Sequence, residues 1–366
     1  MKVYVHIPFC HSKCAYCDFY SVARSDYLGR YACALLNEWE TRRPEETVDT
    51  LYFGGGTPSI LPPETIIEIV GRIAPAPLRE LTVEANPEDV SKEWIETLVG
   101  RYPDIRISIG IQSTIDSELK AVGRRHTARQ ALDALSTLRA AGVGNISADL
   151  IYGLPGQSPD SLTESLSTIL DFRPEHLSCY LLSYEPRTLL SRQLAEGKIT
   201  EASDALVEEM YQKVCEMTSE AGYRHYEISN FALPGREAIH NSSYWNNSSY
   251  IGLGPGAHSY VNGVRGANLP DLRHYLETGG TGVYQEEEES VDSQFNDLLI
   301  TSLRTARGLS LREVEARFGA AYVDRLLSDA AAGLETSDLL LSDGVLTIPQ
   351  ERWLTSNSII LPLIIA

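Results

Sequence analysis

Apolar and polar positions along the first 220 residues form two alternating kinds of segment. Short runs dense in apolar, often β-branched residues predict buried strands, and longer segments with a helical period predict helices between them. The strands are expected at 3–7, 50–53, 81–84, 105–111, 146–151 and 176–182. The helices are expected at about 26–43, 63–73, 91–101, 128–141, 160–171 and 201–221. Six strand–helix units in a row indicate a parallel sheet with right-handed crossovers.

Polar and glycine-rich residues stand where these strands end. Three cysteines follow the first strand, and the glycine-rich segment 54–58 follows the second. Glu84 ends the third strand, Gln112 ends the fourth, and Asp149 lies in the fifth. The carboxyl ends of barrel strands carry the active sites of barrel enzymes. A ring of such residues from five strands therefore favours a partial (β/α)6 barrel over an open, doubly wound sheet.

The pattern changes after residue 222. Residues 223–230 predict one further strand. Residues 240–266 are rich in Asn, Ser, Gly and aromatic residues, which predicts an ordered loop. The acidic run 286–289 is expected to mark a domain boundary.

The C-terminal part has its own order of elements. Helical patterns near 292–304, 311–317 and 321–332 precede a hairpin that turns at Asp343-Gly344. This order resembles a winged helix. We therefore expect three units, with these bounds: a barrel over 1–222, a barrel extension over 223–285, and a small winged-helix-like domain over 286–366.

Charge and hydropathy narrow the functions that this fold could serve. The 366 residues include 31 Lys and Arg against 50 Asp and Glu, a formal net charge of −19. Such a surface repels nucleic-acid phosphates and anionic lipid, so neither is an expected partner. No stretch reaches the roughly 20 apolar residues of a transmembrane segment, and the N-terminus lacks the pattern of a secretory signal. We expect a cytoplasmic protein, in which disulfides are rare.

Three of the six cysteines lie within eight residues, as Cys10, Cys14 and Cys17. Three thiolates at this spacing can ligate three irons of a 4Fe-4S cluster and leave the fourth iron open for chemistry. Two alternatives remain at this point. One is a zinc site with His6 or His11 as fourth ligand, and the other is chance clustering. The other cysteines are scattered and are expected to be free thiols in or near the core.

Seven motifs follow one another along nearly the whole chain. They are HIPFCHSKCAYC from residue 6, FGGGTPS from 53, SIGIQS from 108, DLIYGLPGQ from 149, HYEISNFA from 225, HNSSYW from 240 and GLGPGAHS from 252. Together they resemble the radical S-adenosylmethionine (SAM) enzymes, and more narrowly those related to oxygen-independent coproporphyrinogen III dehydrogenase. The resemblance implies a radical-SAM barrel, a 4Fe-4S cluster on the three cysteines, and SAM on the open iron.

The expected SAM contacts follow from the chemistry of that ligand. Glycine backbone can approach it closely, carboxylates accept from an ammonium group or ribose hydroxyls, an arginine pairs with a carboxylate, and an aromatic ring packs on adenine or the sulfonium. The candidate residues are Tyr4, Tyr16, Gly55, Gly56, Thr57, Glu84, Gln112, Arg124 and Asp149. The structural alternatives are a plain turn for the glycines, solvated or salt-bridged acids, a surface arginine, and barrel packing for the tyrosines.

Two departures set the chain apart from the dehydrogenase. Phe19 stands where that enzyme carries a further cysteine, and the first strand begins within a few residues of Met1. Both departures match the haem chaperones of the HemW type, whose HNxxYW motif is expected to hold haem. Here His240 would ligate the iron, with His258 as the next candidate. The alternative is that His240 hydrogen-bonds a loop and that the aromatic residues of the motif fill the base of the barrel.

The sequence therefore predicts a haem chaperone of the radical SAM family that binds a 4Fe-4S cluster, SAM and haem. Apo-haemoproteins such as respiratory enzymes are the expected recipients, and a homodimer is left open. No catalytic residue is assigned, and enzymatic turnover is left open. The first alternative is oxidative decarboxylation of coproporphyrinogen III. The second is a non-catalytic metal-binding barrel protein.

Overall fold

A twelve-stranded mixed sheet dominates the protein, as a computed structural model that describes residues 1–23 and 27–365 shows. The strands are β1 Lys2–Ile7, β2 Thr50–Gly55, β3 Glu80–Ala85, β4 Arg106–Gln112, β5 Ile146–Tyr152, β6 His176–Leu181, β7 Arg224–Glu227, β8 Asn230–Ala232, β9 Tyr250–Leu253, β10 His258–Val261, β11 Val264–Asn268, β12 Tyr284–Glu286, β13 Leu309–Ser310, β14 Leu340–Ser342 and β15 Val345–Thr347.

Helices connect these strands. They are α1 Leu28–Arg42, α2 Pro63–Ile73, α3 Lys92–Arg101, α4 Asp116–Ala121, α5 Ala128–Ala140, α6 Pro159–Asp171, α7 Leu189–Ala195, α8 Asp204–Glu220, α9 Ile239–Trp245, α10 Leu272–Glu277, α11 Val291–Ser302, α12 Leu311–Phe318, α13 Ala320–Glu335 and α14 Ser356–Ile360, with 3₁₀ turns at Pro58–Ile60, Pro87–Asp89, Gln350–Thr355 and Leu361–Leu363. The expected start of the first helix at Asp26 lies outside the described residues. None of the described helices is long and apolar enough to cross a membrane.

The six predicted strand–helix units are present and form the expected partial (β/α)6 barrel. Strands β1 to β6 are parallel and neighbours in sequence order. The sheet continues at both ends: β9 pairs in parallel with β1, and β8 pairs antiparallel with β6. The full order is β12-β11-β10-β9-β1-β2-β3-β4-β5-β6-β8-β7, so the barrel is an open arc within the described chain.

The prediction of a loop over residues 240–266 is wrong. This segment holds helix α9 and strands β9, β10 and most of β11. Glycines make the close strand packing there feasible, since a Cβ on Gly252 would lie 2.0 Å from the His258 carbonyl oxygen. The single strand predicted over 223–230 is instead the hairpin β7–β8, and the short helices α4 and α7 were not anticipated.

The barrel strands alternate between apolar and polar positions, which differs from the expected runs dense in apolar residues. In β1, Val3, Val5 and Ile7 are fully buried in the main apolar core beneath the helices. The intervening Tyr4 and His6 hydrogen-bond each other inside the arc. The other barrel strands show the same pattern, with cross-strand polar contacts such as those that join Ser108 to Asp149, Ser147 to His176 and Tyr52 to Glu84. The interior of the arc, here called the lumen, is therefore polar.

A buried carboxylate joins the extension to the first helix. Glu38 accepts hydrogen bonds from the Asn268 amide at 2.7 Å, the Tyr275 hydroxyl at 2.6 Å and the Gly254 backbone N–H at 2.9 Å. Its other partner is Arg42, at 2.6 Å. Four donors compensate the cost of burying this charge, so the segment that carries β9–β11 is fixed to α1.

The C-terminal part has the element order of a winged helix. Helices α11, α12 and α13 accompany the small sheet β13-β15-β14. It contacts the β7–β8 hairpin, where the Ala306 N–H donates to the Tyr226 carbonyl at 3.0 Å. The Trp353 and His225 rings also meet there, 4.5 Å apart. The predicted C-terminal helices and the hairpin at Asp343-Gly344 are present.

Candidate functional site

The cysteine loop leaves the carboxyl end of β1 and is fixed on both sides. Phe9, fully buried, anchors its start in the core. In its middle, the Ala15 N–H donates to the Val122 carbonyl at 3.0 Å, and the Leu190 N–H donates to the Ala15 carbonyl at 2.8 Å. The loop is therefore held between the end of α4 and the start of α7, at the mouth of the barrel.

Two of the three thiols have polar donors from other loops. The Thr57 hydroxyl donates to Cys10 Sγ at 3.4 Å, and Arg124 Nη1 donates to Cys14 Sγ at 3.6 Å. Burial raises the pKa of the Cys17 thiol to about 11, and the neighbouring Cys14 and Cys10 add to the rise. In the described part of the chain, no three His, Cys, Asp or Glu side chains are already gathered as a metal-ligand set. The three thiols lie on one loop at the mouth, but their sulfur atoms are not already placed around a single metal position.

The glycines at the end of β2 stand where any side chain would clash with the chain itself. A Cβ on Gly56 would lie 2.6 Å from the Phe9 carbonyl oxygen and 3.1 Å from Cys10 Sγ. Gly55 has φ of +105°, and a Cβ there would lie 2.6 Å from the His6 ring. Backbone alone fits beside the cysteine loop. The glycines therefore let this stretch of backbone run directly beside Cys10, at the place where a cluster and its ligand would be held.

Arg124 is not the surface arginine that its residue type suggests. Its Nη2 donates to Asn86 Oδ1 and to the Gly110 carbonyl, both at 2.7 Å. Asn86 in turn donates from Nδ2 to Thr57 Oγ1 at 3.1 Å. Burial alone would lower the pKa of Arg124. Tyr16 and Cys14 together with other neighbours outweigh that effect, so the pKa lies above its usual value. The clasp formed by Arg124, Asn86 and Thr57 ties three strand ends to two of the cysteines.

Sequence reasoning missed Asn86, although a signal was present. It is followed by a proline directly after β3, two positions beyond Glu84. An X-Pro pair at a strand end holds the backbone extended, which aims the preceding side chain at the mouth. Asn86 belongs to the candidate site on the basis of its two contacts.

Two predicted acids lie in the lumen rather than in solvent. Burial raises the pKa of Glu84 to about 7, partly opposed by the hydrogen bond that it accepts from Tyr52 at 2.7 Å. Burial also raises the pKa of Asp149 to about 6, opposed by hydroxyl donors that include Ser108 at 3.3 Å. These carboxyls face the interior with spare acceptor capacity. They suit a ligand that brings ammonium or hydroxyl donors.

The remaining predicted contacts also lie toward the mouth. Gln112 has φ of +68°, and its Oε1 is buried without a hydrogen-bond partner. The Tyr4 hydroxyl lies 3.1 Å from His6 Nδ1, beneath Gly54. Tyr16 is on the cysteine loop, where burial raises its pKa. An orphaned amide oxygen and a left-handed backbone at Gln112 are features expected of a ligand contact.

His240 does not join these residues. It lies at the opposite, amino-terminal end of the strands, where its Nδ1 meets Thr50 Oγ1 at 2.8 Å and its Nε2 meets the Tyr244 hydroxyl at 2.9 Å. Its ring is fully buried, and burial lowers its pKa to about 3. Both ring nitrogens are engaged, so the arrangement does not support the expectation that His240 ligates haem iron. It matches the structural alternative.

Helix α9 closes the amino-terminal end of the lumen. The Glu80 carboxylate accepts from the backbone N–H groups of Ile239 and His240, both at 2.8 Å. The helix dipole favours an anion at this position. The HNxxYW segment thus forms a floor under the barrel, whereas the cysteines and the glycines at the end of β2 form its mouth. His258, the second haem candidate, is exposed at the start of β10.

Comparison with known proteins gives a consistent set of similarities. The family described as the Radical SAM superfamily matches residues 4–169. The chain is 35% identical over 348 residues to "Heme chaperone HemW" of Lactococcus lactis, covering 93% of this chain and 91% of that protein. It is 38% identical over 264 residues to "Radical S-adenosyl methionine domain-containing protein 1, mitochondrial" of Bos taurus, covering 70% of this chain and 60% of that protein.

A solved structure has the same fold. Coproporphyrinogen III oxidase (HemN) from Escherichia coli superposes with a TM-score of 0.82, covering 99% of this chain and 89% of that one. The sequences are 21% identical, so the likeness concerns the fold. It extends over the barrel, the extension and the C-terminal part alike.

Proposed function

The chain belongs to the HemW family of haem chaperones, within the radical SAM superfamily, and we propose that it binds a 4Fe-4S cluster, SAM and haem and delivers the haem to apo-haemoproteins. The observation that carries the cofactor part is the clasp of Arg124, Asn86 and Thr57 on the cysteine loop. A barrel that had lost its cofactor would have no need of a buried arginine on one thiol and a hydroxyl on another.

Cys10, Cys14 and Cys17 would hold three irons of the cluster, with the fourth iron open to SAM. When bound, this pair supplies reductive cleavage of the sulfonium. Thiolate donors on a single loop fit iron–sulfur ligation, and Gly56 leaves the space beside Cys10 empty of side chain. We prefer this to a zinc site because the polar residues around the thiols exceed what a structural zinc needs.

SAM would lie across the mouth of the barrel. Gly55, Gly56 and Thr57 would hold its amino-acid end, and Arg124 its carboxylate. Glu84 and Asp149 would accept from its ammonium and ribose donors, and Gln112 would use its unpaired Oε1. Tyr4 and Tyr16 would pack on its apolar or cationic parts.

The mouth also offers apolar surface to haem. Phe19 is 66% exposed, and Tyr180 and Leu181 at the end of β6 and Leu189 at the start of α7 are 41%, 41% and 50% exposed. Exposed large apolar side chains close to a polar pocket are typical of a binding site. They support haem at the mouth rather than at the floor. The recipients we propose are apo-haemoproteins, respiratory enzymes among them. The division into 1–222, 223–285 and 286–366, a cytoplasmic location and a homodimer stay predictions.

The second candidate is decarboxylation of coproporphyrinogen III, which the fold of the oxidase favours. Phe19 opposes it, because the further cysteine of the dehydrogenase is replaced by an exposed phenyl ring. Product analysis with coproporphyrinogen III separates the two functions.

The test is anaerobic reconstitution of the full chain with iron and sulfide, followed by iron counting, SAM binding, haem titration and haem transfer to an apo-cytochrome. We expect about four irons per chain and binding of both SAM and haem. A reconstituted protein that binds no haem, or that converts coproporphyrinogen III, would overturn the chaperone proposal.

A further inference from the structure

The floor of the barrel is connected to the mouth by a column of aromatic rings. The Tyr52 and His240 rings lie 5.2 Å apart at their centroids, with an interplanar angle of 34°. Tyr52 lies one lumen position above Thr50, the partner of His240 Nδ1. The Tyr52 hydroxyl then donates to Glu84 Oε1 at 2.7 Å. One side chain, Tyr52, therefore contacts both the floor and a predicted SAM residue.

Neither end of this column can shift freely. His240 is held at both ring nitrogens, and the first turn of its helix is fixed by Glu80. At the upper end, a Cβ on Gly54 would meet Tyr52 at 2.9 Å and Glu84 Oε1 at 3.0 Å, so the chain passes directly over the hydrogen bond. The packing leaves the Tyr52 hydroxyl one well-defined direction, toward the carboxylate.

We infer that Tyr52 and His240 are positioning residues for Glu84, so that the HNxxYW helix serves the SAM site through the lumen instead of ligating haem. The inference rests on the proposed function, because it takes Glu84 to be a SAM acceptor. His240 fixes the Tyr52 ring, and Tyr52 fixes one oxygen of Glu84. The other oxygen is then left in a set direction for the ammonium or ribose of SAM.

The hydrogen bond from Tyr52 also favours the charged form of Glu84. SAM is a cation, and an ionised acceptor binds it better than a neutral one. The titratable groups around Glu84 come from five elements: Tyr4 of β1, Tyr52 of β2, Asp149 of β5, Tyr180 of β6 and Tyr244 of α9. A negative charge on any of these groups, such as that of Asp149, disfavours a negative charge on Glu84. The neutral Tyr52 hydroxyl instead stabilises the charge on Glu84 by donating a hydrogen bond.

The experiment compares two variants with matched controls in the same lumen. Tyr52→Phe removes the hydroxyl and keeps the ring, and His240→Ala removes the ring beneath it. The controls are Tyr226→Phe and His176→Ala. His176 is equally buried, with Ser147 Oγ at 2.8 Å from Nδ1 and the Tyr226 hydroxyl at 2.8 Å from Nε2. In this second pair the tyrosine hydroxyl bonds the histidine itself, whereas the Tyr52 hydroxyl bonds Glu84.

Reconstituted holoprotein of each variant is titrated with SAM and with haem between pH 6 and 9, and its iron content is measured. We expect Tyr52→Phe to weaken SAM binding about tenfold at pH 7, the effect of one lost hydrogen bond to a charged group. The pH midpoint of SAM binding should move upward. His240→Ala should also weaken SAM binding, and it should leave haem affinity unchanged. In protein that already carries Glu84→Gln, adding Tyr52→Phe should not weaken SAM binding any further.

Each other outcome overturns the inference. Parent-like SAM binding and pH midpoint in Tyr52→Phe would show that the column does not act on Glu84, and this conservative variant remains informative if His240→Ala fails to fold. An equal loss in Tyr226→Phe would show a general effect of lumen packing. A loss of haem but not SAM in His240→Ala would restore the haem role. A parent protein that binds no SAM overturns the proposed function together with the inference.

Discussion

Replacement of Arg124 by lysine should weaken the site although it preserves the charge. The guanidinium donates from Nη2 to Asn86 and Gly110, both at 2.7 Å, and from Nη1 to Cys14 at 3.6 Å. A lysine ammonium is a single point donor and cannot span these directions. At least one acceptor, Asn86 Oδ1 or the Gly110 carbonyl, should therefore lose its partner inside the protein.

The size of the effect follows from those contacts. A hydrogen bond to a charged group contributes about 1.5–3 kcal/mol, and an unsatisfied buried acceptor costs about 1–3 kcal/mol. With one of the two short bonds lost, we expect about 2 kcal/mol of destabilisation in Arg124→Lys. Since Asn86 holds Thr57 at 3.1 Å, SAM affinity should fall by at least tenfold as the Thr57 hydroxyl loses its fixed direction.

Arg125→Lys provides the control, because Arg125 is adjacent and half-exposed and its ion pair with Glu88 spans 3.9 Å. Chemical denaturation of the apoprotein reports the stability, and titration of the reconstituted protein reports SAM affinity. If Arg124→Lys and Arg125→Lys gave equal stability and equal SAM affinity, the reasoning from the clasp would be refuted.

Three further outcomes are expected. Cys14→Ser should abolish the visible absorption of the reconstituted cluster, because a hydroxyl replaces a soft thiolate, whereas Cys33→Ser, on the exposed face of α1, should leave it intact. Gly56→Ala should reduce iron retention, because the new Cβ would lie 2.6 Å from a carbonyl oxygen. Its control is Gly71→Ala, whose Cβ would meet no atom within 4 Å. This control should raise the free energy of unfolding by about 0.5–1 kcal/mol in chemical denaturation. SAM affinity should fall as the pH is lowered through about 7, where the raised pKa of Glu84 makes it neutral; a flat titration profile from pH 8 to 6 would contradict this.

The barrel was predictable from sequence because local patterns determine it. The runs beginning near Val3, Thr50 and Ile146 became strands within a few residues of their expected bounds, since each is flanked by glycine, proline or helix-start residues. The polarity of the lumen is harder to predict. Tyr, Thr and Ser occupy the inward positions and have enough apolar surface to resemble buried-strand residues, so the alternation is weak until the register is known.

The floor of the barrel could not be predicted in the same way. Helix α9 is short and lacks a side-chain N-cap. Its N-terminal hydrogen bonds come from Glu80, 160 positions earlier in the chain. No local pattern encodes such a contact. For the same reason a histidine followed by two aromatic residues predicts a haem ligand at His240, whereas the fold shows that Thr50 and Tyr244 engage its ring nitrogens.

The pairing of β1 with β9 has a consequence for how the chain is made. The first strand lies in the middle of the sheet, but one of its two neighbouring strands is about 250 positions away in the chain. The hydrogen-bond donors of Glu38 likewise follow it by 216 to 237 positions. Contacts of this separation form late, after their loop-closure entropy has been overcome. During synthesis, the N-terminal segment must therefore remain incompletely packed until about 280 residues have left the ribosome. Ribosome-bound chains stopped near residue 230 should be cut by protease within the first 50 residues, and chains long enough for the whole barrel extension to have left the ribosome should resist.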